Sequence, residues 1–419
     1  MPKSCIYRTK TSSFSIAVST VALVSLFALY SFLNPNFIYL TFQKCPSGAQ
    51  SANMRLQDPP SPTFYDDSTL SYSFARPIKN WDGKRKEWLQ HHPSYAAGVS
   101  NRVLLVTGSQ PSPCKNPGGD HFLLRSFKNK VDYCRIHGCE VFYNQALLQR
   151  NMTSYWAKYP IIKAAMLAHP ETEWIWWVDA DAVFTDMDFK LPLERYEAHN
   201  LVVNGWPDML FEKKSWVGLN AGVFLIRNCQ WSMDLMDVWA GMGPQSPKYR
   251  YWGKVQKSIF KDKTFPESDD QTALAYLIVK KSRKWGDKIY LETEYSFHGY
   301  WLGIVGTLDE LQEEQLAIER EVRILRRRHA EKVSEYYGAQ RAQHVRRRAK
   351  SKIPFITHFT GCQPCSGEHN PGYKGDSCTE GMEKALKFGD NQVLRNFGFM
   401  HSDLLESSSI VSLPFDFPA

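Results

Sequence analysis

The run Trp174-Ile175-Trp176-Trp177-Val178-Asp179-Ala180-Asp181-Ala182-Val183-Phe184 decides the fold. Five bulky apolar residues in a row read as a strand buried on both faces, as in a parallel sheet. Two carboxylates follow at once, two residues apart, and a second apolar run continues from them. In open α/β sheets ligands bind beyond the carboxyl ends of the strands. Hard oxygen ligands at such an end suit Mg²⁺ or Mn²⁺ carrying a nucleotide diphosphate, whose departure the metal would assist as a Lewis acid. The plain structural alternative is an Asp pair capping a turn or a helix start. The position directly after a wholly apolar strand favours the metal.

Working outward, Arg102-Val103-Leu104-Leu105-Val106-Thr107-Gly108 is a second buried strand entering a turn, and Glu140-Val141-Phe142-Tyr143-Asn144 a third. Between them, His121 to His137 carries helical spacing, as does Tyr155 to His169. Strand–helix–strand–helix–strand predicts a parallel α/β sheet. Leu201-Val202-Val203 and Ala221-Gly222-Val223-Phe224-Leu225-Ile226 read as further core strands. The acidic pair in Ser268-Asp269-Asp270-Gln271-Thr272 opens an amphipathic helix. It either complements the helix dipole or offers Asp269, Asp270 and Gln271 to sugar hydroxyls and a reacting centre. In Thr357-His358-Phe359-Thr360-Gly361, His358 is either a metal ligand or a satisfied core histidine, while Gly361 permits close approach to a phosphate. Leu219-Asn220-Ala221-Gly222 lines a donor pocket or serves packing alone. His298-Gly299-Tyr300-Trp301 either stacks on sugar rings or fills core.

The chain of 419 residues has room for one large catalytic domain or two smaller ones. With 43% hydrophobic and 22% charged residues, wholesale disorder, collagen-like repeats and a polytopic membrane protein are excluded. The net charge of +8 is local: residues 319–352 hold 12 Lys+Arg against 4 Asp+Glu, and the remainder is about neutral. With no basic groove-facing fold signature, the chain reads as no nucleic-acid binder. The charge run reads as a solvated helix, with a partner-binding surface as the alternative.

Residues 14–33 run twenty positions without a charge, enough to span a bilayer core. Lys3, Arg8 and Lys10 precede them, so a signal-anchor with residues 1–13 in the cytosol is expected, rather than a cleaved signal peptide. The rest would be lumenal. Asn151-Met152-Thr153 is a glycosylation sequon, and eight of the nine cysteines follow the anchor. Cys362-Gln363-Pro364-Cys365 lacks a second such pair, which favours structural disulfides over a zinc knuckle or a redox pair. Residues 34–95, rich in Pro, Ser, Asp and Asn, read as a stem; 96–402 as the catalytic domain, with a basic helical insertion at 308–352; and 403–419 as a flexible tail.

Several blocks in order resemble plant glycosyltransferases of family 34. They are Phe122-Leu123-Leu124-Arg125-Ser126, Asp132-Tyr133-Cys134-Arg135-Ile136-His137-Gly138, the Trp174–Asp181 run, Lys214-Ser215-Trp216, Arg227-Asn228-Cys229-Gln230-Trp231, Phe297-His298-Gly299, His358-Phe359-Thr360-Gly361-Cys362 and Asp390-Asn391-Gln392-Val393-Leu394. The family contains xyloglucan α-1,6-xylosyltransferases and galactomannan α-1,6-galactosyltransferases. The resemblance implies a type II Golgi membrane protein with a GT-A fold, a Rossmann-like nucleotide-sugar-binding domain behind an N-terminal transmembrane helix. It also implies Mn²⁺, a UDP-sugar donor, a β-linked polysaccharide acceptor and retention of anomeric configuration. Carried over by position, Asp179 and Asp181 match the metal motif around Ala180, and His358 matches the third protein ligand. Asp269, Asp270 and Gln271 match the acidic motif at the reacting centre; His298 matches a position near donor and acceptor. Asn220 and Gly361 join the donor-site candidates. Other Golgi glycosyltransferases or a homodimer stay open as partners.

Two departures bear on the subfamily. The xylosyltransferase branch carries Asp-Ser-Asp and a Lys in its Gly-Cys-Lys-Pro-Cys block, where this chain has Ala180 and Gln363. Lys374 is a candidate substitute for the missing cation. The basic insertion and Cys365-Ser366-Gly367-Glu368-His369-Asn370 resemble the galactomannan branch. Galactosyl transfer from UDP-galactose onto O6 of a β-1,4-mannan is therefore expected, with xylosyl transfer to a glucan, a non-catalytic scaffold and a metal phosphoesterase as alternatives.

Overall fold

The computed structural model describes residues 66–99, 102–325, 334–405 and 410–412. The predicted cytosolic tail and membrane anchor (1–33) lie outside them. Among the described residues no helix is long and apolar enough to cross a membrane. Helix α1 (Trp81–His91) falls inside the predicted stem, yet it is fastened to the domain. Trp81 is fully buried and its indole N–H donates to Asn228 Oδ1 at 2.7 Å. Arg85 reaches the carbonyls of Pro170 and Thr172 and pairs with Glu173 at 2.9 Å. The globular unit thus begins before residue 96, because one Trp and one Arg on a mostly polar helix suffice to dock it.

The central sheet has six strands in the order β2-β1-β3-β6-β5-β7. These are β1 (Val103–Gly108), β2 (Glu140–Asn144), β3 (Trp174–Val178), β5 (Leu201–Gly205), β6 (Leu219–Arg227) and β7 (Ile289–Glu292). Strands β1, β2 and β3 are parallel as predicted, joined by α2 (Gly119–His137) and α3 (Lys158–Ala168). The sheet as a whole is mixed rather than parallel, since β6 runs antiparallel to both β3 and β5. The physical reason is the 206–218 connection. It holds one short helical turn, Asp208–Glu212, in place of a crossover helix, so the chain returns antiparallel. Helices α4 (Gln230–Ala240), α5 (Tyr249–Ile259) and α6 (Asp270–Lys280) follow β6, and α6 and α4 share the core of Trp239, Leu274 and Phe224.

A second, three-stranded sheet pairs β4 (Ala182–Phe184) with β9 (Ile356–His358) and β9 with β8 (Gly299–Tyr300). It brings chain from three distant places beside the Asp179–Asp181 turn. Helices α7 (Leu308–Glu321), α8 (Ser334–Arg348) and α9 (Ser377–Leu394) complete the described helices named here. Strands β10 (Phe399–His401) and β11 (Ile410–Ser412) then pair antiparallel, and Leu404 is buried, so part of the predicted flexible tail has a fixed place.

The basic segment is not simply a solvated helix. Arg341 of α8 is 1% exposed, with Nη2 on Asp188 Oδ2 at 3.1 Å and on the Gln392 carbonyl at 3.2 Å. Arg395, also buried, donates to Gln315 Oε1 at 2.7 Å and lies 3.5 Å from Glu319 Oε1. Val345 and Tyr337 supply the apolar contact, while Arg346, Arg347 and Arg348 face outward. Removing one partner of a buried ion pair strands the other charge. Arg341→Ala is therefore expected to cost about 3–5 kcal/mol in chemical denaturation. An exposed control, Arg347→Ala, should stay within about 0.5 kcal/mol of the parent chain.

Candidate active site

Backbone pairing assembles the site. Val178 ends β3 opposite Val223 of β6, and the Asp179 N–H donates to the Gly222 carbonyl at 2.9 Å. Ala182 stands opposite His358 across the β4–β9 pair, and the Phe359 N–H donates to the Asp181 carbonyl at 3.0 Å. Asp179, Asp181 and His358 therefore converge, with one ligand atom from each lying within 4.8 Å of the others. His358 Nε2 is 3.2 Å from Asp181 Oδ1 and 3.9 Å from Asp179 Oδ2. Two carboxylates and an imidazole form a donor set that fits Mn²⁺.

Gly222 is the floor of this cluster. A methyl group there would overlap His358 Cε1 and sit 2.5 Å from Asp179 Oδ2. Glycine inside a strand commonly marks such a close approach. Ala221-Gly222-Val223 carries that signal, which by itself reads equally as packing or a donor pocket.

Two buried lysines that sequence reasoning did not single out support the site, Lys158 at the carboxylates and Lys130 at the turn between them. Lys158 of α3 is 4% exposed and donates to the Ala221 carbonyl at 2.9 Å. Its Nζ lies 2.9 Å from Asp270 Oδ2 and 3.5 Å from Asp179 Oδ1, so one ammonium joins the two acidic motifs. Burial alone would lower its pKa, but Asp179 and Asp270 together hold it above the ordinary lysine value. Lys130 of α2 donates to the Ala182 carbonyl at 2.7 Å and to Ser126 Oγ at 2.9 Å, while Ser126 Oγ donates to the Ala180 carbonyl. This fixes the turn between the two aspartates. Burial pushes the Lys130 ammonium down to about 7, against the pull of Asp181 and Asp179. A readable signal existed for Lys158: a cation at the start of the apolar helix Lys158–Ala168 must find buried partners.

Asp269 is the N-cap of α6, accepting from the Thr272 N–H at 2.7 Å, and its other oxygen pairs with buried Lys263. Asp270 accepts from the Gln271 N–H at 2.8 Å as well as from Lys158. Burial first, and the neighbouring Asp269 charge second among the raising causes, push the Asp270 carboxyl up to about 6 against Lys158. Gln271 accepts from Asn220 Nδ2 at 3.3 Å and the Ala221 N–H at 3.4 Å, tying α6 to the strand beneath the triad. Asn220 Oδ1 in turn accepts from the Gly222 N–H at 2.9 Å.

A cavity of about 660 Å³ opens past the carboxyl ends of β1, β2 and β3. Gly108, Asn144, Lys158, the Asp179–Asp181 turn and residues 362–366 line it. Of the predicted donor-site residues, Asp179, Ala180 and Asp181 border this cavity, whereas Asn220, His298 and Gly361 do not line it. Gly361 has φ +83 in the turn after β9, and its carbonyl accepts from the Asn370 N–H. The two cysteines of Cys362-Gln363-Pro364-Cys365 do not pair with each other. Cys365 bonds to Cys114 and Cys362 to Cys378, pinning the cavity-lining loop at both ends; Cys134–Cys139 is the third bridge. Cys229 is a free thiol, and Cys45 lies outside the described residues. Lys374 does not line the cavity, but Lys115 does. Asn151 occupies an exposed turn two residues from Thr153 at the cavity edge.

A cavity of about 660 Å³, a paired carboxylate motif and a converging imidazole at the end of a mixed α/β sheet are the parts of a nucleotide-sugar transferase. The profile of the galactosyl transferase GMA12/MNN10 family, glycosyltransferase family 34, matches residues 99–369, and the chain belongs to that family and is a glycosyltransferase. It is 57% identical over 410 residues to Glycosyltransferase 6 of Arabidopsis thaliana, covering 97% of this chain and 95% of the relative. It is 58% identical over 381 residues to Galactomannan galactosyltransferase 1 of Cyamopsis tetragonoloba, covering 91% and 87%. With Probable xyloglucan 6-xylosyltransferase 3 of Arabidopsis thaliana the figures are 46% over 341 residues, 81% and 68%.

Gly222→Ala tests the assembled site. It is expected to displace His358 and Asp179 and lower Mn²⁺ affinity on the order of 10–100-fold, measured by calorimetry, with far-UV circular dichroism unchanged.

Proposed function

We propose that this chain is a retaining, Mn²⁺-dependent galactosyltransferase of GT-A type. It moves galactose from UDP-galactose in α-1,6 linkage onto the β-1,4-mannan backbone of galactomannan or galactoglucomannan. The observation that carries the reading is the convergence of Asp179, Asp181 and His358 at the edge of the cavity beyond β3. The galactose assignment is supported by 58% identity to a galactomannan galactosyltransferase against 46% to a probable xylosyltransferase. Ala180 and Gln363, where the xylosyltransferase branch has Ser and Lys, point the same way. A Golgi-membrane type II arrangement, with residues 14–33 as anchor, the catalytic domain lumenal and Asn151 glycosylated, belongs to the same proposal.

Asp179, Asp181 and His358 would hold the cation, which supplies charge neutralisation to the departing UDP diphosphate. The acceptor O6 attacks the anomeric carbon on the face the diphosphate leaves. The C1–O bond to phosphate breaks as C1–O6 forms, and the hydroxyl proton passes to a phosphate oxygen. Double displacement needs a free carboxylate nucleophile. Both oxygens of Asp269 are committed to the Thr272 N–H and Lys263, and both of Asp270 to the Gln271 N–H and Lys158. That engagement favours the front-face route. Lys158 keeps Asp270 charged and in place, and its own charge is already matched by two carboxylates. Lys115 is the cavity-lining lysine without such a partner among the described contacts, and Asn116 beside it is bonded to the Pro364 and Cys365 carbonyls. It is the cation proposed to replace the one lost at Gln363.

The deciding assay gives the enzyme Mn²⁺, UDP-galactose or UDP-xylose, and manno- or cello-oligosaccharides, and weighs the products by mass spectrometry. A hexose added to the mannan alone is expected. A pentose added to the glucan would move the chain to xylosyl transfer, and no transfer or UDP binding by folded protein would favour a scaffold. Lys115→Ala should raise the KM for the UDP-sugar about 10-fold, equal to the roughly 1.4 kcal/mol of one charge-assisted contact, with kcat changed less.

A further inference from the structure

His298 and His358 form a buried pair. Their rings meet edge to face at 86°, and the two Nδ1 atoms stand 2.8 Å apart. A nitrogen–nitrogen contact of that length is a hydrogen bond, so one ring contributes the proton and the other the lone pair. The two assignments have opposite consequences for the cluster. If His298 donates, neutral His358 carries its own proton on Nε2, the atom facing Asp181 Oδ1 at 3.2 Å, and that nitrogen cannot ligate a metal. If His358 donates from Nδ1, its Nε2 lone pair faces the two aspartates, and His298 carries its proton on Nε2.

We propose that His298 is a positioning residue: its Nδ1 accepts from His358 Nδ1–H, fixing the tautomer and ring orientation that make His358 Nε2 a metal ligand. The proposal rests on the metal reading of Asp179, Asp181 and His358 given above. Metal-binding histidines almost always donate their other ring N–H, usually to a carboxylate, carbonyl or water. Here the polar partner of His358 Nδ1 is a second imidazole. The fold holds it there by backbone. His298 directly precedes β8, in which Gly299 registers with Thr357 and Tyr300 with His358, and its own N–H donates to Asn204 Oδ1 at 3.3 Å. Gly299 has no room for a side chain, since a methyl would press on the Ile356 carbonyl and Ile304. Strand β8 can therefore approach β9 closely enough for the two rings to meet. His298 is 9% exposed and does not line the cavity that Asp179 and Asp181 border.

The test compares Mn²⁺ binding, by electron paramagnetic resonance of free and bound ion, in the full chain and in His298→Asn and His298→Phe. Asn offers Oδ1 near the place of Nδ1; Phe keeps the ring and removes the acceptor. The expected result is a 10–100-fold loss of affinity in His298→Phe and a loss of no more than about threefold in His298→Asn. Thermal melts of the metal-free proteins serve as the control, because a merely space-filling histidine would lower stability in one or both variants without separating their metal affinities. Equal Mn²⁺ affinity in the parent chain and His298→Phe would overturn the proposal, as would equal loss in both variants. Absence of Mn²⁺ binding by the folded parent chain would instead overturn the metal reading beneath it.

Discussion

The site depends on how closely two antiparallel backbones approach at Asp179 and Gly222. The Asp179 N–H donates to the carbonyl of a glycine that has no side chain to keep His358 and Asp179 away. The same strand segment offers the Ala221 carbonyl to Lys158 and the Ala221 N–H to Gln271. Three elements otherwise far apart in sequence are thus fastened to one short piece of β6. Steric exclusion is unforgiving there, because packed interiors leave no slack for a methyl group.

Charge is managed by burial in pairs. Lys158 lies between Asp179 and Asp270, Lys263 against Asp269, and Lys130 among main-chain carbonyls of the Asp179–Asp181 turn. Each burial costs desolvation, offset only while every partner stays in place. The result is geometric: Asp179 and Asp270 are held in fixed positions by one shared ammonium. The disulfides from Cys114 and Cys378 extend this rigidity to the 362–366 loop that closes the cavity.

The same logic governs the basic segment. Arg341 of that segment is spent on Asp188, and Arg395 beyond α9 on Gln315 and Glu319 of α7, while Arg346, Arg347 and Arg348 are exposed. The layer of α7, α8 and α9 packs behind β4 and β9, and Gln392 accepts from the Met187 N–H and donates to the Thr185 carbonyl. A region legible only as charge is therefore part of the scaffold that carries His358.

Sequence alone determined the three parallel strands, since Trp174–Val178, Val103–Gly108 and Glu140–Asn144 announce themselves by apolar runs and by the helices between them. It also singled out Asp179 and Asp181 as candidate metal residues from their spacing after a buried strand, while His358 was matched to them only through the family resemblance. Only the tertiary structure decided the direction of β6, the neighbour that makes Gly222 necessary, the roles of Lys158 and Lys130, and the separate fates of Cys362 and Cys365. Periodicity reports which face of an element is dry. It does not report which strand lies beside which, and buried cations and histidines acquire their function from that pairing.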